Sequence, residues 1–441
     1  EILRCLVGSE MCIRDSMRTY ILILSLLLIA CIVKGQAIIE GISYDESKVP
    51  NYVLPDVLTC NDGSKVTTVA EWEKKRRPEV LEYFYSQEYG RTPKETIAVT
   101  YEKLTENPND MGGRATSKQV RFKFTNGKNV IEAILLVYIP NKRKGKVPVF
   151  VGYNFKGNHS TTLDTTVLYS PSFSLVKAPD HPDWQRGNQM NRWCYDKIID
   201  RGYAVATMCY HDIFPDKLGL IKHSVSSLFP TYDPNSTALD EWKAIGVWAW
   251  GSSRIVDYLE TQDWVDLEKI AIMGHSRQGK AALWAGAQDT RFKVVISNDS
   301  GCGGAALSKR VYGENIARIV KIFPHWFCPA FEQYADNEDK LPFDQHELLA
   351  LIAPRHVYVA SAVGDLWADP KGEFLSVYHA GPVYELYGLS GLGTNIMPDI
   401  HQPIMTDVGY HIRAGEHDVT DYDWERFMDF CDMHFKIVKR K

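Results

Sequence analysis

Apolar and polar positions follow two rhythms along this chain, and the two rhythms interleave. Gln119–Phe124 alternates with period two, as a half-buried strand does, and Ala133–Ile139 is a stronger apolar strand ended by Pro140 and a basic turn. Val147–Tyr153, Tyr203–Cys209, Lys269–Met273, Lys293–Ser297, His356–Ala360 and Val408–Arg413 are short, mostly apolar runs of the kind a parallel sheet buries on both faces. Between them the spacing lengthens to that of helices, at Val69–Glu88, Asp240–Glu260, Arg277–Gly286, Pro370–Tyr387 and Trp424–Val438. Short strands alternating with longer helices predict an α/β fold, a doubly wound and mostly parallel sheet in a three-layer sandwich. Leu168–Arg192 and Gly301–Pro342 break the rhythm, and are expected to be insertions that form the rim of a cleft. Residues 36–110 are expected as an N-terminal arm and helix packed on a single catalytic domain, residues 111–441.

The N-terminal pattern is different. Met17-Arg18-Thr19-Tyr20 precedes an almost unbroken apolar run from Ile21 to Val33, followed by Lys34-Gly35-Gln36. A basic start, a run of this length and small residues after it describe an export signal at residues 17–35, too short to span a membrane. Residues 1–16 fit no leader and are set aside as a non-native upstream segment. Leu28-Ile29-Ala30-Cys31 also fits a bacterial lipoprotein box, which would put a lipid anchor on Cys31. The expectation is a periplasmic or extracellular protein, and a monomer.

Composition narrows the function classes. The 50 basic and 55 acidic residues leave a net charge of -5, which excludes affinity built on broad phosphate neutralisation, so no nucleic-acid partner is expected. A mean hydropathy of -0.25 excludes multiple membrane spans. Cleavage after Gly35 would leave Cys60, Cys194, Cys209, Cys302, Cys328 and Cys431, without a C-x-x-C pair. Buried thiols plus one or two bridges are expected, with Cys302 and Cys328 a candidate pair. No zinc-ligand spacing and no phosphate-binding glycine loop appears, so neither metal nor cofactor is expected.

The segment richest in chemistry is Ile270–Ala282. A strand ends at Met273 and a helix begins just after Ser276, which puts that serine on a sharp strand-to-helix turn with its hydroxyl above the sheet edge. Gly274-His275-Ser276-Arg277-Gln278-Gly279 departs from G-x-S-x-G, because the second glycine comes one residue late. A serine nucleophile needs a base, and the base needs an orienting acid, in the chain order serine, acid, histidine. His417 lies in the loop between the last strand and the last helix, where such a base must stand. Asp299 and Asp365 each follow a strand, and the residues alone leave both open as the acid; Asp369, just before Pro370, reads as a helix cap. The backbone N–H of Arg277, at the helix start, faces where an acyl oxyanion would develop.

Gly274–Lys280 resembles the G-x-S-R-x-G-K signature of glucuronoyl esterases, carbohydrate esterase family 15, within the α/β-hydrolase superfamily. The likeness continues through Gly301–Leu307, Asp365–Pro370 and Gly415–Val419, and the helix Trp242–Leu259 is similar too. The resemblance implies hydrolysis of esters of 4-O-methyl-glucuronic acid, as in lignin–xylan cross-links, so the implied partner is a glucuronoxylan or lignin–carbohydrate ester. It implies Ser276 as nucleophile, His417 as base, and Asp365 as acid at the bacterial position. Asp299 stands where fungal members carry glutamate, one methylene shorter. Arg277 is implied as an oxyanion partner through its side chain, Lys280 and Glu314 as grips on the sugar hydroxyls, and Trp367 as an aromatic wall. His275 replaces a fungal half-cystine. A carbohydrate acetyl esterase with the same triad is the alternative, and a non-catalytic carbohydrate-binding protein is the remaining one.

Overall fold

Side-chain alternation along the strands divides the interior into two apolar layers. In β6 (Val265–His275), Ile270 and Ile272 enter one cluster, while Ala271 and Met273 enter the other. β5 (Ala204–Cys209) does the same with Ala204, Ala206 and Met208 against Val205, and β8 (His356–Ala362) with Val357 and Val359 against Tyr358 and Ala360. The first layer packs the helices Ala244–Glu260, Arg277–Gln288, Gln345–Ala350 and Pro370–Leu386; the second packs Tyr195–Asp200 and Asp421–Phe435. A sheet with helices on both faces is the three-layer arrangement that period-two burial on both sides requires.

Among the described residues the sheet has ten strands, beginning with β1 (Ala98–Asn109), in the order β1-β2-β3-β5-β4-β6-β7-β8-β10-β9. β4 (Val147–Asn154), β5, β6, β7 (Val294–Asn298), β8 and β10 (Val408–Arg413) form the parallel core. β2 (Ala115–Thr125), β3 (Val130–Pro140) and the two-residue β9 (Ile404–Met405) pair antiparallel at the flanks. From β4 the chain runs outward to β5 and then returns to β6 on the other side. The order of winding therefore reverses between β4 and β6, and ligand crevices form beside such a point at the carboxyl ends of the strands.

This computed structural model describes residues 41–176 and 182–437, and those from Ser43 onward form one compact unit. The upstream segment, the leader and the anchor cysteine expected in residues 1–35 lie outside the described residues. Two expectations need correction. Ala98–Asn109, expected in the arm, is the long edge strand β1 paired with β2, so a boundary at 110/111 would cut one antiparallel ladder. Its residues are largely exposed, which hid the strand from a search for apolar runs. Cys302 and Cys328 are not bridged, and Cys60, Cys194, Cys209, Cys302, Cys328 and Cys431 are all free thiols. Cys328 packs with its Sγ against the Ser86 carbonyl at 3.9 Å, whereas Cys302 belongs to the loop wrapped around Lys280. No helix among the described residues is long and apolar enough to cross a membrane.

Candidate active site

The turn between β6 and the helix Arg277–Gln288 sets the centre of the site. Ser276 has φ 56° and ψ -130°, a backbone conformation that costs a non-glycine residue on the order of 1–3 kcal/mol and persists only where its surroundings enforce it. The enforcement is visible in the two glycines. A Cβ on Gly274 would stand 1.9 Å from the Gln278 carbonyl oxygen, and one on Gly279 would stand 2.8 Å from Ser300 Cβ. The late second glycine is therefore where the helix crosses the loop after β7. The Ser276 N–H is tied to the Asn298 carbonyl at 2.8 Å. Ser276 occupies the N-cap position, yet its side chain makes no capping bond, so the hydroxyl is left for other work.

Two further loops converge here. The β8–β10 ladder continues beyond the strands, with Val363 N–H on the Arg413 carbonyl and Gly364 N–H on the Gly415 carbonyl, both at 2.9 Å. That extension sets Asp365 beside His417, whose Nδ1 lies 2.6 Å from Asp365 Oδ2. The carboxylate is buried, with 4% of its side chain exposed, while the imidazole is 42% exposed and open to a ligand. On its other side the His417 ring lies 4.5 Å, centroid to centroid, from the ring of His275, the residue before Ser276. His275 is buried, and Asn298 contacts its Nδ1 at 3.1 Å. Burial, with the neighbouring His417, holds its pKa well below the usual histidine range, so it is a neutral ring against the His417 imidazole.

Asp299 approaches the same region but is engaged by the scaffold. Its Oδ1 accepts the Ala362 N–H at 2.8 Å, and its Oδ2 accepts from Asn298 Nδ2 at 2.9 Å and Arg413 Nη2 at 3.3 Å. Burial, then the like charges of Asp365 and Glu373, push its carboxyl well above the ordinary range, against the opposing pull of Arg413.

Beside the serine, Lys280 is buried, and its Nζ donates to the carbonyls of Ser300 and, at 2.6 Å, Cys302. Glu314 Oε2 stands 3.9 Å from that ammonium. Burial raises the Glu314 pKa, opposed by Lys280, by a hydrogen bond from the Trp367 side chain, and by Arg277. Trp367 is half-buried, and its carbonyl accepts the Glu314 N–H at 2.9 Å. The residues singled out in the sequence thus gather at the carboxyl ends of β6, β7, β8 and β10. Asp369 instead caps the helix Pro370–Leu386, accepting the Gly372 N–H.

Two groups among the described residues bring three ligand-type atoms within 4.8 Å of one another: Asp299–Asp365–His417 and His356–Asp407–His434. In the first, the oxygens of Asp299 already hold protein donors. In the second, the imidazoles stack 3.5 Å apart at 21°, so their in-plane lone pairs run side by side instead of converging.

Sequence reasoning missed Asn298, Glu373 and Arg413, which brace these loops, and Asp216, which binds Arg277 from 61 residues upstream. Only Asn298, adjoining Asp299, carried a local signal.

A family model for fungal glucuronyl esterases matches residues 226–388. The chain is 43% identical over 403 residues to the carbohydrate esterase MZ0003 of an unknown prokaryotic organism, covering 90% of this chain and 92% of that one. It is 29% identical to a 4-O-methyl-glucuronoyl methylesterase of Schizophyllum commune, over 77% of this chain and 75% of that one. Among solved structures, a glucuronoyl esterase from Solibacter usitatus superposes with a TM-score of 0.80 at 43% identity, covering 88% of this chain and 99% of that one.

Proposed function

The chain belongs to carbohydrate esterase family 15, the glucuronoyl esterases, and from that premise we propose a serine-dependent hydrolysis of 4-O-methyl-glucuronoyl esters by the residues gathered here. Ser276 Oγ attacks the ester carbon of the uronic acid while His417 takes its proton and Asp365 holds the imidazolium. The carbonyl oxygen becomes an oxyanion beside the N-terminus of the helix Arg277–Gln288, whose first N–H groups have no intrahelical partner, and beside the Arg277 guanidinium. His417 then protonates the departing alcohol oxygen, and water, deprotonated by the same imidazole, releases the uronic acid and restores the serine. Lys280, Glu314 and Trp367 face the sugar, with donor and acceptor for its hydroxyls and an indole for its apolar face. The natural ester is read as a lignin–xylan cross-link, reached by an exported enzyme.

The observation that carries this reading is the His417–Asp365 bond of 2.6 Å, with the His417 ring 4.5 Å from that of His275, the residue before a serine held at φ 56°. Ser276→Ala should cost on the order of 10³-fold or more in kcat on a benzyl or methyl ester of glucuronic acid, with the fold intact. Near-normal turnover would end the assignment. Across substrates, kcat/KM should fall from the glucuronate ester to the galacturonate ester to an acetylated xylose. Faster release of acetate would make the enzyme a carbohydrate acetyl esterase. Export is checked by intact mass, with a chain beginning at Gln36 expected, a lipidated Cys31 marking the anchored form, and a retained Met17 refuting both.

A further inference from the structure

The side chain of Arg277 is held from outside the motif that contains it. Asp216, in the loop after β5, keeps only 2% of its side chain exposed and accepts one Nη of Arg277 on its Oδ2. The same oxygen takes the Tyr210 hydroxyl at 2.9 Å, and Oδ1 takes His325 Nε2 at 2.8 Å and the Trp326 indole N–H at 2.7 Å. The Asp216 backbone N–H in turn donates to His211 Nδ1 at 2.9 Å. Burial alone would raise this carboxyl, but the hydrogen bond to His325, the charge of Arg277 and the indole N–H hold it below the ordinary range. It is a fixed anion. Phe323 and Trp326 stack at 3.8 Å and 3°, and the Arg277 guanidinium carbon lies 4.6 Å from the Trp326 ring centre. Asp216 thus joins its own loop and the Gly301–Pro342 insertion to the turn that carries Ser276, and it leaves the buried Nε–H of Arg277 without a protein partner.

We infer that Asp216 is a positioning residue for catalysis, anchoring the Arg277 guanidinium against the Phe323–Trp326 platform so that its remaining N–H groups meet the oxyanion without reorganising. The physical need is clear. An arginine side chain has much rotamer entropy to lose, and a donor contributes most to a transition state when that loss has already occurred in the free enzyme. A carboxylate buried among several donors supplies the restraint, and the aromatic faces exclude the water that would compete. The inference rests on reading Arg277 as an oxyanion partner.

A double-mutant cycle tests it, on the methyl ester of glucuronic acid and, in parallel, on p-nitrophenyl acetate. Asp216→Asn should lower kcat by about 10- to 100-fold on both esters, with KM within about threefold, as expected for partial loss of one oxyanion donor. Arg277→Gln should lower it at least as far, and Asp216→Asn added to Arg277→Gln should change kcat less than about threefold. Asp216→Glu, which keeps the charge, should recover part of the loss. Multiplicative losses would overturn the inference, as would an Asp216→Asn enzyme that melts earlier but turns over normally. An Arg277→Gln enzyme with normal kcat would also overturn it, while a retained preference for the uronate ester left the substrate reading intact. If the wild type cleaved only p-nitrophenyl acetate, the substrate reading would fall, and non-additivity on that ester would still uphold the anchor.

Discussion

The loops that follow β7 and β8 are close counterparts: each leaves the carboxyl end of a parallel strand and each carries an aspartate there. The aspartates behave differently. Asp299, after β7, directs both oxygens at protein donors and lies wholly inside the scaffold. Asp365, after β8, reaches the exposed imidazole of His417. The loop after β7 works instead through its backbone, whose Ser300 and Cys302 carbonyls hold the Lys280 ammonium. One loop holds the imidazole of His417, and the other holds the buried ammonium of Lys280. An acid at a strand end is therefore not an orienting acid until its oxygens are free to act as one.

Substituting each loop separately would break this contrast or sharpen it. The largest effect is expected at Asp365→Asn, on the order of 10³-fold or more in kcat, because an amide neither stabilises the imidazolium nor fixes the same tautomer. Lys280→Met should lower kcat/KM for the glucuronate ester by roughly 100-fold and for p-nitrophenyl acetate by less than about threefold, since a site built to bond sugar hydroxyls discriminates by leaving them unpaired. Equal losses on both esters would mean that Lys280 only supports the loop. Asp299→Asn should cost about 10-fold or less in kcat, because its main partners are the Ala362 N–H and Arg413. A loss matching that of Asp365→Asn would erase the distinction between the loops and make the two aspartates share one role.

The smallest effect concerns stability. Glu373 accepts the Ser300 N–H at 2.7 Å, the Gly301 N–H at 3.0 Å and the Ser361 hydroxyl at 2.6 Å, and so ties the two loops together. Burial raises its pKa from 4.5 to about 7, over the lowering influence of those bonds. A group raised in the folded state binds more protons there than in the unfolded chain, so its contribution is full below about pH 4.5 and is lost as pH rises through about 7. Glu373→Gln should therefore flatten the fall in unfolding midpoint between pH 5 and pH 8, by a few degrees at most. An unchanged pH profile would show that this carboxyl is not the proton carrier.

Much of this was legible in one dimension. Short apolar runs bounded by turn residues marked most of the core strands, because a strand covered on both faces is apolar along its whole length. The strand–turn–helix setting of Ser276 was readable because the glycines that permit it are neighbours in sequence. β1 was not, since its exposed side chains leave no apolar signature and only pairing with β2 makes it a strand. The absence of a Cys302–Cys328 bridge was equally out of reach, because spacing says nothing about where two thiols point.

By itself, then, the sequence determined the doubly wound α/β layering, the strand-to-helix turn at Ser276 and a short roster of acids and bases, all of which follow from nearest neighbours and periodicity. Tertiary structure alone decided which aspartate meets His417, what Lys280 rests on, and that Asp216 grips Arg277 across 61 residues. Those choices depend on which donors fold onto each carboxylate, and a buried charge is defined by partners that chain order does not bring near.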